Sequence, residues 1–207
     1  MTLSQKIYWD QIYLRKNQNE LSWFEKVPKL SLDLIHNLNL PKNAKIIDIG
    51  GGDSFLVDFL ISEGFSDITV LDISEVALNK LKSRLGENAY KVKWIVADIN
   101  EFVPNQEYDL WHDRATFHFL TNPDQIDRYV NLVRKSIHAF LIIATFSKMG
   151  PEKCSGLTVS QYEENQIQDL FLKDFRKVKC LNAVHKTPMM TEQEFIYCSF
   201  EKLILEQ

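Results

Sequence analysis

The chain has 207 residues, 45% hydrophobic and 12% aromatic, enough for one well-buried core and a small lid, so a single domain over 1–207 is expected. A net charge of −4 and a pI near 5.8 supply no global attraction to nucleic acid or to an anionic membrane surface, which leaves nucleic acid, through a local basic patch, a minority partner and the membrane none. No run approaches the roughly 18 apolar residues of a membrane span, and Met1 to Asp10 lacks the basic-then-apolar order of a secretory signal, so a cytoplasmic protein is expected.

The first periodic segments are two helices, Ser4 to Leu14 and Lys29 to Asn39. The second carries Leu30, Leu34, Ile35 and Leu38 at helical spacing and stops at Pro41. Together they make an N-terminal helical cover over 1–40 ahead of a core over 44–207. Lys45 to Ile49 is a short apolar run ending in glycines, and Ser54 to Glu63 follows with Phe55, Leu56, Phe59 and Leu60 on one side: strand, turn, helix. Ile68 to Leu71 is a second strand, and Ser74 caps a helix through Leu85 bearing Val76, Leu78 and Leu81. Val92 to Ala97, Tyr108 to Trp111 and Phe140 to Phe146 are further apolar runs, separated by polar or helical segments such as Asp124 to Val133. Such runs suit strands buried on both faces, and repeated strand–helix units imply right-handed crossovers. The last strand-like runs, Phe175 to His185 and Phe195 to Leu203, are joined by Lys186-Thr187-Pro188 and a polar loop without an obvious helix. The expected fold is α/β, a Rossmann-like, doubly wound, mostly parallel seven-stranded sheet with a terminal antiparallel strand pair.

The sharpest local feature is Asp48-Ile49-Gly50-Gly51-Gly52-Asp53-Ser54, between the first strand and its helix. An open α/β sheet binds ligands there, beyond the carboxyl ends of its strands. Glycines let the backbone approach a ligand closely, although an ordinary glycine-rich turn would read the same. Asp72 closes the second strand 20 residues after Gly52 (72 − 52), where a carboxylate can accept both hydroxyls of a ribose; a plain capping or loop aspartate is the alternative. Asp98, in Ala97-Asp98-Ile99, stands where a side chain can accept from an adenine amino group. A dinucleotide-binding dehydrogenase shares this unit, and two residues oppose it. Phe55 stands where the G-x-G-x-x-G spacing needs a small residue, and Asp48 is the wrong charge beside a pyrophosphate. Asp48 suits instead a cofactor with an ammonium and a sulfonium, as in S-adenosylmethionine (SAM).

On these residues the chain resembles class I SAM-dependent methyltransferases over nearly its whole length. Ile46 to Ser54 is similar to the family's first motif, Val70-Leu71-Asp72 to its ribose-binding acidic position, and Ala97-Asp98-Ile99 to its adenine-binding position. The resemblance implies that Asp48, Gly50, Gly51 and Gly52, with Asp53 and Ser54, surround the methionine part of SAM. Asp72 and Ile73 would take the ribose, Asp98 and Ile99 the adenine, and the product would be S-adenosylhomocysteine (SAH). At finer grain the chain is similar to a group of small bacterial methyltransferases through Tyr8 to Tyr13, Ser22 to Phe24, Trp111 to Leu120 and Gly150 to Leu157. Asp72-Ile73-Ser74 and Asp113-Arg114 also resemble protein-lysine methyltransferases of the methyltransferase-like group. Arg114 and Ala115 depart from that group's aspartate-lysine-glycine-threonine, and Ser136-Ile137-His138-Ala139 replaces the usual Pro-Gly-Gly turn.

Methyl transfer from a sulfonium is an in-line displacement, so the main task is to hold the acceptor atom against the methyl. The fourth-strand end supplies His112, Asp113, Arg114 and His118. Asp113 or His112 would orient or deprotonate the acceptor; alternatively Asp113 and Arg114 form a structural ion pair and His118 is a core histidine. Trp9 and Tyr13, ahead of the first strand, would cover the cofactor, and Trp23, Phe117, Phe146, Cys154 and Ser155 would line the acceptor pocket. Core packing is the competing role for these aromatics. Cys154, Cys180 and Cys198 are odd in number and far apart, so free thiols and no metal site are expected. Three functions compete: methyl transfer to a small molecule, methyl transfer to protein lysine, and SAM binding without turnover.

Overall fold

The computed structural model describes residues 3–203; residues 1–2 and 204–207 of the expected domain lie outside the described residues. Seven strands, β1 (Lys45–Ile49), β2 (Asp67–Asp72), β3 (Val92–Val96), β4 (Tyr108–Arg114), β5 (Ile137–Phe146), β8 (Phe175–Lys186) and β9 (Glu192–Lys202), form one sheet. β6 (Lys153–Cys154) and β7 (Leu157–Thr158) pair separately. The order β3-β2-β1-β4-β5-β9-β8 reverses direction beside β1, the switch point at which such sheets open a ligand crevice. β1 to β5 are parallel, and β9 and β8 add as an antiparallel pair. The fold is therefore the Rossmann-like, doubly wound sheet that the strand–helix alternation predicts.

Apolar residues of the inner strands are buried on both faces. Ile46, Ile68 and Leu110 pack beneath α2 (Lys29–His36), α3 (Leu56–Ser62) and α4 (Glu75–Leu85). Ile47, Trp111 and Leu141 pack beneath α5 (Pro123–Ser136) and α6 (Glu164–Phe171). Each fully buried Ile or Leu contributes about 1.5–3 kcal/mol relative to exposure. Ser74 caps α4 by accepting the Ala77 amide at 3.1 Å, and Asn122 caps α5 ahead of Pro123.

Four departures from the expected elements matter. β4 runs on through Arg114, so His112, Asp113 and Arg114 lie within a strand and alternate between its faces. β5 begins at Ile137, three residues early. α6, which the strand–helix pattern did not reveal, buries Ile167 and Phe171 one helical turn apart. Finally, the expectation of three free thiols is corrected. β8 and β9 place Cys180 opposite Cys198, Cα to Cα 4.1 Å, joined as a disulfide, and only Cys154 is free. Distance along the chain misled because a long hairpin folds remote residues into register.

Candidate functional site

Two adjoining cavities open at the carboxyl ends of β1, β2 and β4 and share Tyr13, Trp23, Gly50 and Arg114. The outer one runs from Asp72, Ile73, Asp98 and Ile99 to Trp9, Phe119 and Cys154. The inner one reaches Asp48, Gly51, Asp53, Ser54, His112 and Ser31.

The turn after β1 is pinned where Gly50 and Gly51 donate to the Leu71 carbonyl at 2.7 and 3.2 Å. Gly50 has φ +64°, and any Cβ there would strike the Thr116 hydroxyl, so only glycine fits. Asp72 Oδ1 accepts the Ser74 amide at 2.7 Å. Burial, with Asp48 and Asp53 adding like charge, lifts its carboxyl to about 7. Asp98 Oδ1 accepts the Asn100 amide at 2.9 Å and the Asn100 side chain at 3.0 Å. Asp48 is buried with its Oδ1 bonded to His112 Nδ1 at 2.7 Å, while Oδ2 has no hydrogen-bond partner among the described residues. Burial also raises the Asp53 carboxyl, and its Oδ2 is unpartnered as well.

α1 (Leu3–Arg15) lies over these cavities. Asp10 accepts the Ser74 hydroxyl at 2.7 Å and the Val76 amide at 3.3 Å at the start of α4, and Lys80 donates to the Tyr13 carbonyl. The rings of Trp9, Trp23 and Phe119 meet edge to face at 5.1 to 6.0 Å between centroids.

Strand alternation separates the four residues expected to do chemistry. His112 and Arg114 face the cavities. Asp113 turns to the α5 face, where it accepts from the Tyr129 hydroxyl at 2.6 Å and the Thr116 and Phe117 amides at 2.9 and 3.2 Å. It therefore fixes the turn leaving β4, and burial lifts its carboxyl to about 6. No ion pair joins it to Arg114 among the described residues. Arg114 donates to the Tyr197 hydroxyl at 3.1 Å and the Trp23 carbonyl at 3.0 Å, and pairs with Glu25 at 3.1 Å. Glu25 in turn meets His185 at 3.1 Å. Although burial pushes Glu25 up, the His185 bond and the Arg114 charge hold it below the usual range. His118 packs between Phe119 and Phe146, and burial depresses it to about 3. His118, Phe117 and Phe146 are core and line neither cavity, and Ser155 stands outside both. Burial raises the Cys154 thiol to about 11, so it is neutral at pH 7.

Ser31, Glu25, Thr116 and Tyr197 complete the site although no sequence motif marks them, and His185, to which the sequence assigns no role, joins it through Glu25. His112 and Arg114 share one strand face, so their partners had to come from the segments covering that face. The period-two alternation of β4 gives that shared face from the sequence, but not which remote segments cover it.

Residues 46–137 match the family model described as a methyltransferase domain. Over those residues the chain carries a methyltransferase domain. It is 26% identical over 190 residues to EEF1A lysine methyltransferase 2 of Danio rerio, covering 86% of this chain and 77% of that protein. It is 26% identical over 121 residues to the eEF1A lysine and N-terminal methyltransferase of Mus musculus, covering 58% of this chain and only 17% of that protein. It is 35% identical over 82 residues to the malonyl-[acyl-carrier protein] O-methyltransferase of Anoxybacillus flavithermus, covering 39% and 30%. In fold, the SAM-dependent methyltransferase from Anabaena variabilis superposes with a TM-score of 0.73 at 15% identity over 96% of this chain and 95% of that one. The residues of this methyltransferase domain fit SAM: the inner cavity holds a buried Asp48 oxygen without a hydrogen-bond partner among the described residues, and the outer one is lined by two carboxylates, Asp72 and Asp98.

Proposed function

We propose that this chain transfers the methyl group of SAM to an acceptor seated among Trp9, Trp23, Phe119 and Arg114, and that the acceptor is a small molecule. SAM supplies an activated methyl on a sulfonium and leaves as SAH. The observation that carries this reading is the pair of adjoining cavities with Asp72 and Asp98 at one end and the free Asp48 oxygen at the other. In this reading Asp72 accepts the ribose hydroxyls, Asp98 takes the adenine amino group through its second oxygen, and α1 excludes water with Trp9 and Tyr13. The Arg114 cluster and Trp23 orient the acceptor. His112 has both ring nitrogens engaged and Asp113 faces away, so neither serves as base; alignment carries the rate. Cytoplasmic residence belongs to the same reading; among the described residues no helix is long and apolar enough to cross a membrane.

The likeness to the zebrafish lysine methyltransferase, spanning most of this chain, favours protein lysine as a second reading. Binding without turnover is the third. Tritiated SAM incubated with the protein and cell extract, then separated by size, distinguishes them. Label in the small-molecule fraction is expected. Label confined to protein would select lysine, and no transfer beside firm SAH binding would select a sensor.

A further inference from the structure

Asp48, His112 and Ser31 form a buried chain that SAM binding by itself does not require. His112 Nδ1 is 2.7 Å from Asp48 Oδ1, and His112 Nε2 is 2.9 Å from the Ser31 hydroxyl of α2. Ser31, Asp48 and His112 are 1%, 2% and 2% exposed. A carboxylate only accepts, so Nδ1 carries the proton; Nε2 is then left to accept from the Ser31 hydroxyl. This arrangement fixes the imidazole by both nitrogens and clamps Asp48 through one oxygen alone. The other oxygen, Oδ2, lies against Gly51, where an added Cβ would stand 2.6 Å away, and has no hydrogen-bond partner among the described residues. The oxygen is buried, and the absent side chain of residue 51 is what leaves room beside it.

We propose that His112, held by Ser31, is a positioning residue that orients Asp48 so that its free oxygen receives the α-ammonium of the SAM amino acid. The inference rests on the reading of these cavities as the SAM site and adds to it the selectivity for a cofactor carrying its amino-acid tail. Without the imidazole, the carboxyl can rotate away from the inner cavity, and the nucleoside end at Asp72 and Asp98 is untouched. An acidic residue one β-strand away is thereby made directional by a neighbouring strand and by a helix of the cover. The role differs from a base: no proton leaves His112 during methyl transfer.

The test compares SAH with 5′-methylthioadenosine, which keeps the nucleoside and sulfur but lacks the amino acid, by titration calorimetry. For His112→Leu, and for Ser31→Ala to a lesser degree, SAH binding is expected to weaken about ten-fold or more, as for a lost hydrogen bond to a charged group. 5′-Methylthioadenosine binding should stay within two-fold, or about 0.4 kcal/mol. His112→Asn keeps a donor toward Asp48 and is expected to restore most of the SAH affinity. Unchanged SAH affinity in His112→Leu, or an equal loss of both ligands, overturns the proposal while leaving the SAM reading in place. Should His112→Leu not fold, Ser31→Ala and His112→Asn decide by the same ratio of the two ligands. Failure of the unaltered protein to bind either ligand overturns both readings together.

Discussion

Desolvation, reinforced by Asp48 and Asp53, leaves Asp72 with a carboxyl lifted to about 7, and this shift makes the ribose end of the cavity a pH-dependent binder. Only the ionised carboxylate accepts two hydroxyl protons, so SAH affinity should climb as pH rises through about 7 and level off above it. Titrations between pH 5.5 and 8.5 check this, and a flat profile would remove Asp72 from the ligand. Asp72→Ala should cost about 1.5–3 kcal/mol of SAH binding, the worth of hydrogen bonds to a charged group. Arg114 offers a different kind of residue. Its guanidinium satisfies a hydroxyl, a carbonyl and a carboxylate at once, and Arg114→Met leaves the half-buried Glu25 with His185 alone. A stability loss of about 1.5–3 kcal/mol is expected in urea unfolding, the worth of hydrogen bonds to a charged group. Arg114→Lys should recover little, because an ammonium cannot reproduce the planar fork.

At the scale of elements, the antiparallel pair β8–β9 is stapled by Cys180 and Cys198 across a sequence separation of 18 residues. Loop-closure entropy sets the benefit of such a link near 3 kcal/mol. Unfolding with and without reductant should differ by up to that amount. Alkylation under denaturing, non-reducing conditions should label one cysteine, Cys154, and three labels would mean the pair is reduced in the isolated protein. α1 has few buried side chains among the described residues and is held by Asp10 and Lys80, polar contacts to the start and body of α4, and by one small apolar cluster of Trp9, Ile12 and Tyr13 with Val76 and Ala77. A helix attached this way detaches at lower cost than one buried by an apolar stripe.

For the molecule as a whole, two buried carboxyls dominate the acid side. Asp72 and Asp113 are raised by burial from 3.8 to about 7 and about 6, so the folded chain holds protons that the unfolded chain has released. Their contribution therefore declines as pH rises from about 4 to about 7 and is constant above. The apo-protein's unfolding midpoint should fall over that window, and Asp113→Asn should flatten the part below about 6. The sheet, the glycine turn and the carboxylates at strand ends were legible because each is a local signal: an apolar run, a breaker, a charge at the run's end. The chemistry of β4 was not. Reading His112, Asp113 and Arg114 as one cluster ignored that a strand sends neighbours to opposite faces, which gives Asp113 to Tyr129 and the other two to the cavities. Ser31 and Glu25 were invisible for another reason: their partners come from β4, far along the chain, and no local periodicity points across the sheet.

Ser74 links two of these scales. Its amide donates to Asp72 and its hydroxyl to Asp10 of α1, so the ribose end of the cavity and the seat of the cover meet in one residue. Linkage makes such an arrangement reciprocal: a ligand that steadies Asp72 steadies the closed α1, and a change that loosens α1 weakens the ligand by the same free energy. The cover is then part of the affinity, and a chain shortened through Asp10 would lose cofactor without losing a single atom from the nucleoside's own carboxylates.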